Sequence, residues 1–230
     1  MTEIRTPVLI VGGGPVGLIL SMELASRGVK CLLVNERETT TTHPKGSSLN
    51  SRTMETVRRL GFAPALRKTG VPPDHPTDVI YATRFAGHEL ARIKMPTGRE
   101  KTENPGPWGP TLLTPEPMHR SNQFYFEAVF KTHAEQFGAA DLRFGCRLVK
   151  FTQLADHVEA EIEDVKTGAR SQVIADYMVG CDGGQSMVRR QLGFSYQGRS
   201  SSGKNFYDGD MISAFMREPK VYDILGMPIG

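Results

Sequence analysis

The first third of the chain alternates apolar runs with short polar or glycine-rich turns. Residues 8–11 are all apolar and lead into three consecutive glycines, after which 18–25 is mostly apolar and long enough for a helix. A second run, 29–35, is also mostly apolar, as is typical of a parallel strand buried on both faces. The pattern predicts three elements, which are a strand over 7–11, a helix over 15–27 and a parallel strand over 29–35.

The rest of the chain predicts a mixture of helices and antiparallel strands. Apolar residues at helical spacing before Gly61 predict a helix over 51–61, and two apolar runs around 86–88 predict a β-hairpin over 79–93. Residues 96–118 are rich in proline and are predicted to form a loop without regular structure. The remaining predicted elements are a helix over 121–137, antiparallel strands over 142–152, 157–164 and 171–175, a buried strand over 177–181, a short helix over 187–192 and a strand over 206–216.

These predicted elements indicate an α/β fold. Strands and helices alternate near the N-terminus, as in a doubly wound parallel sheet, and an antiparallel meander follows the middle of the chain. The helix over 121–137 is expected to face the core through an apolar stripe formed by Phe124, Ala128, Phe130, Ala134 and Phe137. The expected fold is a Rossmann-like domain whose parallel sheet is extended by the meander.

Composition and charge narrow the classes of protein to which the chain can belong. Of the 230 residues, 39% are apolar and 23% are charged, which provides enough apolar surface for a buried core. The net charge of +3 is too small to indicate a nucleic-acid partner, and no apolar run approaches the roughly 18 residues of a membrane span. Because no signal peptide precedes the first strand, we expect a cytoplasmic protein without a nucleic-acid or membrane partner.

The cysteines and histidines show no spacing typical of a metal site or a nucleophilic triad. The three cysteines, Cys31, Cys146 and Cys181, form no C-x-x-C pair and are expected to be free, buried thiols. The six histidines show neither H-x-x-H nor H-E-x-x-H, so we expect no metal. No Ser/His/Asp or Cys/His arrangement is visible either, and the catalytic residues are unknown at this point.

The glycines after the first strand form the clearest chemical motif. Gly12, Gly14 and Gly17 fit G-x-G-x-x-G between a predicted strand and a predicted helix, which is the context of a dinucleotide-binding turn. In such a turn the first glycine permits the bend, the second lets the backbone approach a pyrophosphate, and the third lets helix and strand pack closely. Glu36 follows Gly17 by roughly 20 residues, as expected for the acid that accepts ribose hydroxyls. The alternative is a glycine-rich loop that binds nothing.

These motifs, in this order, resemble those of the FAD-dependent aromatic-ring hydroxylases, the single-component flavoprotein monooxygenases typified by p-hydroxybenzoate hydroxylase and phenol hydroxylase. The resemblance covers nearly the whole chain and is carried by four segments. They are Gly-Gly-Gly-Pro-Val-Gly at 12–17 with Glu36-Arg37, His-Pro-Lys-Gly at 43–46 with Leu-Asn-Ser-Arg-Thr-Met-Glu at 49–55, Arg-Ser-Asn-Gln at 120–123, and Gly-Cys-Asp-Gly-Gly-Gln-Ser-Met-Val-Arg at 180–189. The last segment is similar to the family's DG motif.

The resemblance implies particular roles around the adenosine and pyrophosphate of FAD. Glu36 would bind the adenosine ribose, Arg37 would lie near the adenine, and Leu148 would touch the adenine through its backbone. Lys45 stands where the family usually has arginine, so a point charge would replace a bidentate fork on the pyrophosphate.

The resemblance also implies roles near the flavin and at the DG motif. Gln123 would hydrogen-bond the flavin side, and Asp182 would brace the glycine turn. The alternative for Asp182 is that it caps the helix predicted over 187–192. The residues that the resemblance assigns to cofactor binding are Gly12, Gly14, Pro15, Val16, Gly17, Glu36, Arg37, Lys45, Gln123, Leu148, Asp182 and Gly183.

The activity that the resemblance implies is hydroxylation of a phenolic or polyketide-like aromatic. In the family, NADPH or NADH reduces FAD, O₂ adds at the flavin C4a carbon, and one oxygen passes to the ring. Trp108, His119 and Tyr207 are aromatic or polar candidates for substrate contact, with a structural role as the alternative. Other readings are an epoxidase or reductase on the same flavin fold, or a non-catalytic nucleotide-binding fragment.

The resemblance further predicts a division into domains. We expect a FAD-binding domain over 1–205, interrupted by a substrate-domain insert at about 76–118, and the start of a β-rich substrate domain over 206–230. The family's second flavin motif, similar to Gly-Asp-Ala-Ala-His, has no match in the chain. We therefore expect the N-terminal part of a longer enzyme or an incompletely described chain. The choice between NADPH and NADH, and whether the protein is a homodimer, are left open.

Overall fold

The computed structural model describes residues 2–43, 45–84, 86–103, 114–197, 215 and 217–225. The chain divides into two compact units. The first unit consists of Met1–Thr42 and Phe126–Ser213, and the second of His43–Tyr125 and Ala214–Gly230.

The helices and strands are numbered in chain order. The strands are β1 (Thr2–Val11), β2 (Cys31–Asn35), β3 (Ser48–Leu49), β4 (Val79–Ala82), β5 (Glu89–Ile93), β6 (His119–Arg120), β7 (Ala140–Phe144), β8 (Cys146–Gln153), β9 (Val158–Asp164) and β10 (Arg170–Gly180). The helices are α1 (Pro15–Ala25), α2 (Ser51–Arg59), α3 (Ala63–Arg67), α4 (Gly98–Glu103), α5 (Gln123–Ala134), α6 (Met187–Gln191) and α7 (Val221–Leu225).

The first unit is built on a six-stranded sheet in the order β7-β2-β1-β10-β9-β8. Strands β7, β2, β1 and β10 run parallel to one another. Strands β10, β9 and β8 form an antiparallel meander. Apolar side chains from both halves of the sheet share one core, which includes Leu9, Leu32, Ile162 and Val173. The fold predicted from the sequence, a parallel sheet extended by a meander, is confirmed.

Helix α1 begins directly after the glycine turn. Gly14 is its N-cap residue and Pro15 stands in its first turn, where the missing N–H of proline costs no hydrogen bond. Leu18 and Met22, one turn apart, are fully buried, and they hold one face of α1 against the core. The helix ends before Gly28, whose φ of +76° suits glycine at the end of a helix.

The strand predicted over 142–152 is wrong, because two strands occupy this segment. Gly145 separates β7 from β8, and its φ of +75° is incompatible with a continuous strand. Strand β7 then pairs in parallel with β2, while β8 pairs antiparallel with β9. The alternation of apolar and polar residues continues across the break, so the pattern alone did not reveal it.

The prediction of a separate, buried strand over 177–181 is also wrong. This segment is the second half of β10, and the side chains of Tyr177 and Val179 are 71% and 37% exposed. They lie on the same face as the buried Val173 and Ala175, since side chains alternate along a strand. Strand β9 pairs with β10 only as far as Ala175, and the burial ends with that pairing.

The apolar stripe predicted for α5 is only partly correct. Phe130 and Ala134 are buried as expected, but Phe126 completes the buried face and Ala128 is exposed. The buried residues follow an i, i+4, i+8 spacing, which keeps them on one side of the helix.

The second unit contains two small antiparallel sheets and four of the helices. Strands β4 and β5 form the hairpin predicted over 79–93, and β3 pairs with β6. In α2 the Asn50 side chain accepts from the N–H of Thr53 at 2.9 Å, while Met54 and Val57 are buried. The predicted strand over 206–216 lies outside the described residues, apart from Phe215.

Residues 96–118 were predicted to lack regular structure, and α4 within them shows this to be wrong. The N–H of Thr97 donates to Glu100 Oε2 at 2.8 Å, and the N–H of Glu100 donates to Thr97 Oγ1 at 3.2 Å. This reciprocal pair is a capping box, which stabilises the first turn of α4. The surrounding prolines obscured it in the sequence.

Candidate dinucleotide site

The glycine turn between β1 and α1 is held against two neighbouring strands. Gly12 has a φ of +112°, and its N–H donates to the carbonyl of Val34 at 2.8 Å. A Cβ built on Gly12 would overlap the carbonyl of Cys181, and it would lie 2.8 Å from the N of Asp182. The backbone conformation and the lack of space both require glycine at this position.

Gly17 and Gly14, the other two glycines of the motif, differ in how much space surrounds them. A Cβ on Gly17 would overlap the carbonyl oxygen of Gly12, so the third glycine does allow the helix to approach the strand. A Cβ on Gly14 would have no protein atom within 4 Å. Gly14 therefore borders open space at the N-terminus of α1, beside Pro15 and the 70% exposed Val16.

Asn35 joins the glycine turn to the segment that follows β2. Its Oδ1 accepts from the N–H of Gly13 at 3.0 Å, and its Nδ2 donates to the carbonyl of Arg37 at 2.9 Å. Sequence reasoning missed this residue. The available signal was a single polar side chain at the end of an otherwise buried apolar strand.

Glu36 and Arg37 extend from the carboxyl end of β2 with exposed side chains. The Arg37 carbonyl also accepts from the N–H of Gly145 at 2.9 Å, so two hydrogen bonds fix the backbone here. The exposed carboxylate of Glu36 can accept hydrogen bonds from the hydroxyl groups of a ligand near the turn.

The loop over 182–186, which we call the DG loop, lies directly against the glycine turn. The N–H of Cys181 donates to the Val11 carbonyl at 2.6 Å, which continues the pairing of β10 with β1. Asp182 Oδ2 accepts from the N–H groups of Met187 at 2.7 Å and Val188 at 3.2 Å. Ser186 is the N-cap residue of α6, and Asp182 adds to the cap by accepting from these two N–H groups.

One oxygen of Asp182 is not used by this cap. Asp182 Oδ1 is buried and has no hydrogen-bond partner in the part of the chain that the structure describes. Gly183 follows with a φ of +80° and is exposed. A buried carboxylate oxygen without a hydrogen-bond donor is energetically costly. The DG loop is therefore suited to a ligand or water that donates a hydrogen bond to this oxygen.

Leu148 lies apart from these loops in the sheet order. It stands on β8, the edge strand of the meander, where it pairs with Ile162. Its side chain is half-buried against the core of the first unit, and a bulge in the pairing follows it. A bulge exposes backbone groups, which is compatible with a backbone contact to a ligand.

The second unit brings together the two predicted residues that it contains. The N–H of Gln123 donates to the carbonyl of Gly46 at 2.9 Å, which places Gln123 beside the segment that carries Lys45. A Cβ on Gly46 would lie 3.9 Å from Gln123 Oε1. The Lys45 side chain is exposed.

Of the remaining side chains that the sequence singled out, His119 is the one that lies among the described residues. His119 is buried, its Nε2 lies 2.7 Å from the Thr69 carbonyl, and burial lowers its pKa. These contacts favour the structural alternative for His119. Trp108 and Tyr207 lie outside the described residues.

The cysteines of the first unit are free thiols. Cys31 and Cys146 are buried as expected, whereas Cys181 is only half-buried. Burial raises the pKa of Cys31 to about 11, with a smaller contribution from Asp141. Among the described residues, no three His, Cys, Asp or Glu side chains are grouped as metal ligands, and none of the helices there could cross a bilayer.

A family model described as an FAD binding domain matches residues 5–224. The chain belongs to this FAD-binding domain family. The residues present fit the cofactor. Gly14 borders open space that a Cβ would partly occupy, and Glu36 offers an exposed carboxylate at the end of β2. Asp182 holds a buried oxygen without a partner among the described residues.

Proteins related to this FAD-binding domain are considerably longer. The chain is 33% identical to a putative polyketide hydroxylase of Streptomyces coelicolor over 96% of its own length and 33% of the relative's. It is 31% identical to the 2,4-dichlorophenol 6-monooxygenase of Delftia acidovorans over 96% of its own length and 37% of the relative's. The chain thus spans little more than a third of these curated relatives.

The fold is shared with solved flavoenzyme structures. The rebeccamycin biosynthetic enzyme RebC with reduced flavin superposes with a TM-score of 0.81 at 35% identity. The superposition covers 98% of this chain and 40% of RebC. The predicted resemblance to flavoprotein monooxygenases is confirmed at the level of the family.

Proposed function

We propose that the protein containing this FAD-binding domain is a monooxygenase that hydroxylates a phenolic or polyketide-like aromatic with O₂ and NADPH or NADH. The observation that carries the proposal is the junction of the glycine turn and the DG loop, where the backbone of Gly12 lies against that of Cys181. Two loops with free backbone donors meet there at the N-terminus of α1, which suits a pyrophosphate. The hydroxylase and monooxygenase relatives support the reaction class.

In the first unit, we propose that the glycine turn and its neighbours hold the adenosine and pyrophosphate. The N–H groups at the start of α1 have no carbonyl one turn earlier, so Val16 and Gly17 can donate to phosphate oxygens. Glu36 accepts the ribose hydroxyls, and Arg37 and Leu148 lie beside the adenine. Asp182 and Gly183 shape the other side of the turn.

In the second unit, we propose that Lys45 and Gln123 are cofactor-binding residues. Lys45 neutralises one pyrophosphate charge, and its flexible stem holds that position with less angular precision than arginine. Gln123 donates to or accepts from the flavin, since its side chain carries both an N–H₂ group and a carbonyl. The backbone hydrogen bond from Gln123 to Gly46 keeps Gln123 beside the segment that carries Lys45.

Bound FAD supplies the redox chemistry and the transfer of oxygen. The chain's own residues bind and orient the cofactor. We also propose that residues 1–205 form a FAD-binding domain with a substrate-domain insert at about 76–118. Residues 206–230 would begin the substrate domain. We also propose a cytoplasmic location, for which the free thiols of Cys31 and Cys146 are the support.

The test is made with the full-length protein. It should bind FAD, oxidise NADPH or NADH in the presence of a phenolic substrate, and incorporate one ¹⁸O atom from ¹⁸O₂ into the product. A protein that binds FAD but yields unlabelled product would be a reductase rather than a monooxygenase. A protein that remains free of flavin after incubation with FAD would contradict the proposal entirely.

A further inference from the structure

The hydrogen-bond acceptors of the DG loop bind N–H groups of the residues that follow them. The Gly183 carbonyl accepts from the N–H of Ser186 at 3.1 Å, and Asp182 Oδ2 accepts from the start of α6. Residues 183–185 are exposed, and their backbone N–H groups have no acceptor among the residues that the structure describes. Successive free N–H groups on a loop can donate together to an anion.

The carbonyl of Gly184 is held by two side chains. Arg189 Nη1 donates to it at 2.8 Å, and the Tyr196 hydroxyl donates to it at 3.2 Å. The Arg189 guanidinium also lies over the Tyr196 ring, 4.2 Å from the ring centroid. The Gly184 carbonyl, the Arg189 guanidinium and the Tyr196 side chain therefore each contact the other two. The cation–π contact between Arg189 and Tyr196 holds both donors near the carbonyl.

This arrangement determines which way a flexible peptide faces. In a planar trans peptide, the carbonyl of Gly184 and the N–H of Gln185 point in opposite directions. Glycine tolerates many backbone angles, so local sterics at Gly183 and Gly184 do not select one orientation. The two donors select it by binding the carbonyl, and the N–H of Gln185 then faces away from them.

We propose that Tyr196 is a positioning residue for the dinucleotide site. With Arg189 it holds the Gly184 carbonyl, and so keeps the free N–H of Gln185 directed towards an anionic group of the cofactor. Tyr196 acts through Gly184 and lies outside the motif that the sequence revealed. The inference rests on the proposed function, because it takes FAD as the ligand.

The test compares Tyr196→Phe with wild type in the full-length protein. The variant keeps the ring over Arg189 and loses only the hydroxyl. We expect the dissociation constant for FAD, measured by flavin fluorescence titration, to rise about three- to tenfold, as for the loss of one hydrogen bond. The melting temperature of the FAD-free protein should stay unchanged, which a merely structural role would not predict.

Tyr177→Phe is the matched control. Tyr177 is an exposed tyrosine of the same unit, and its hydroxyl makes no hydrogen bond among the described residues. The Tyr177→Phe variant should bind FAD with the affinity of wild type. Wild-type affinity in Tyr196→Phe, or an equal loss in Tyr177→Phe, overturns the inference while leaving the proposed function intact. A wild-type protein that binds no FAD overturns both.

Discussion

Gly17 lies so close to Gly12 that a Cβ on Gly17 would overlap the carbonyl oxygen of Gly12. The obstructing atom belongs to the backbone and cannot turn aside as a flexible side chain would. Helix α1 is therefore held at the end of β1 by contact between main-chain atoms. This contact sets the position of the helix N-terminus, on which anion binding depends.

Replacing Gly17 with alanine should destabilise the protein. Relief of the overlap requires α1 to move away from β1, and we expect a loss of about 1–3 kcal/mol or more in the free energy of unfolding. Urea denaturation measures this loss. Gly138→Ala is the control, because a Cβ there meets no atom within 4 Å. A Gly17→Ala variant as stable as that control would mean that α1 packs less closely than the structure shows.

Gly14→Ala should abolish FAD binding without changing the stability of the FAD-free protein. The added Cβ meets no protein atom within 4 Å, so the FAD-free variant should unfold at the same urea concentration as wild type. We expect FAD binding to be abolished, since the methyl group would occupy the space that the pyrophosphate needs. Flavin content after purification and fluorescence titration are the measurements. Near-normal FAD content would place the pyrophosphate elsewhere.

Substitutions at Asn35 should show whether its amide supports the glycine turn. Asn35→Ala leaves the partly buried N–H of Gly13 without an acceptor, and should cost about 1–2 kcal/mol of stability. Asn35→Asp keeps an acceptor for Gly13 but loses the bond to Arg37 and adds a negative charge. We expect it to be more stable than the alanine variant and to bind FAD more weakly than wild type. Equal stability of the two variants would argue against the Gly13 bond.

The buried thiol of Cys31 should make the protein less stable at high pH. Burial raises its pKa from the usual 9.0 to about 11 in the folded chain, so the folded state keeps the proton that the unfolded state loses. The stabilising contribution is complete below pH 9 and is lost as the pH rises towards 11. The slope contributed by this group is at most about 1.4 kcal/mol per pH unit.

Urea denaturation at several values between pH 8 and pH 11 measures that slope. Cys31→Ala removes the titrating group, so its stability should fall less steeply with pH than that of wild type. Other groups that titrate in this range affect both proteins alike. Identical slopes would show that the thiol is not protected in the folded state.

The parts of the fold that repeat a short pattern were predictable from the sequence. The apolar runs before and after α1 indicated β1 and β2, because strands buried on both faces carry few polar residues. The glycine spacing located the turn, and Glu36 located the end of β2. In the second unit, two apolar runs around a short turn were enough to identify the hairpin of β4 and β5.

The features that the sequence did not reveal depend on contacts between distant residues. Asn35 looks like an ordinary polar strand end until Gly13 and Arg37 are placed beside it. Tyr196 lies 12 residues beyond the carbonyl that it binds. Gly145 interrupts a pattern that alternates on both sides of it, and only the pairing of β7 with β2 explains the break.

The pairing of β1 with β10 has a consequence for how the chain folds during synthesis. The two strands are adjacent and parallel, although Thr2 pairs with Ser171 across most of the chain. At about 5–20 residues per second, a ribosome needs roughly 10–35 s to make the intervening segment. During that time one edge of β1 lacks its partner and can pair with other chains. Completion of the parallel sheet is therefore a late event, because pairing of β1 with β2 covers only the other edge of β1.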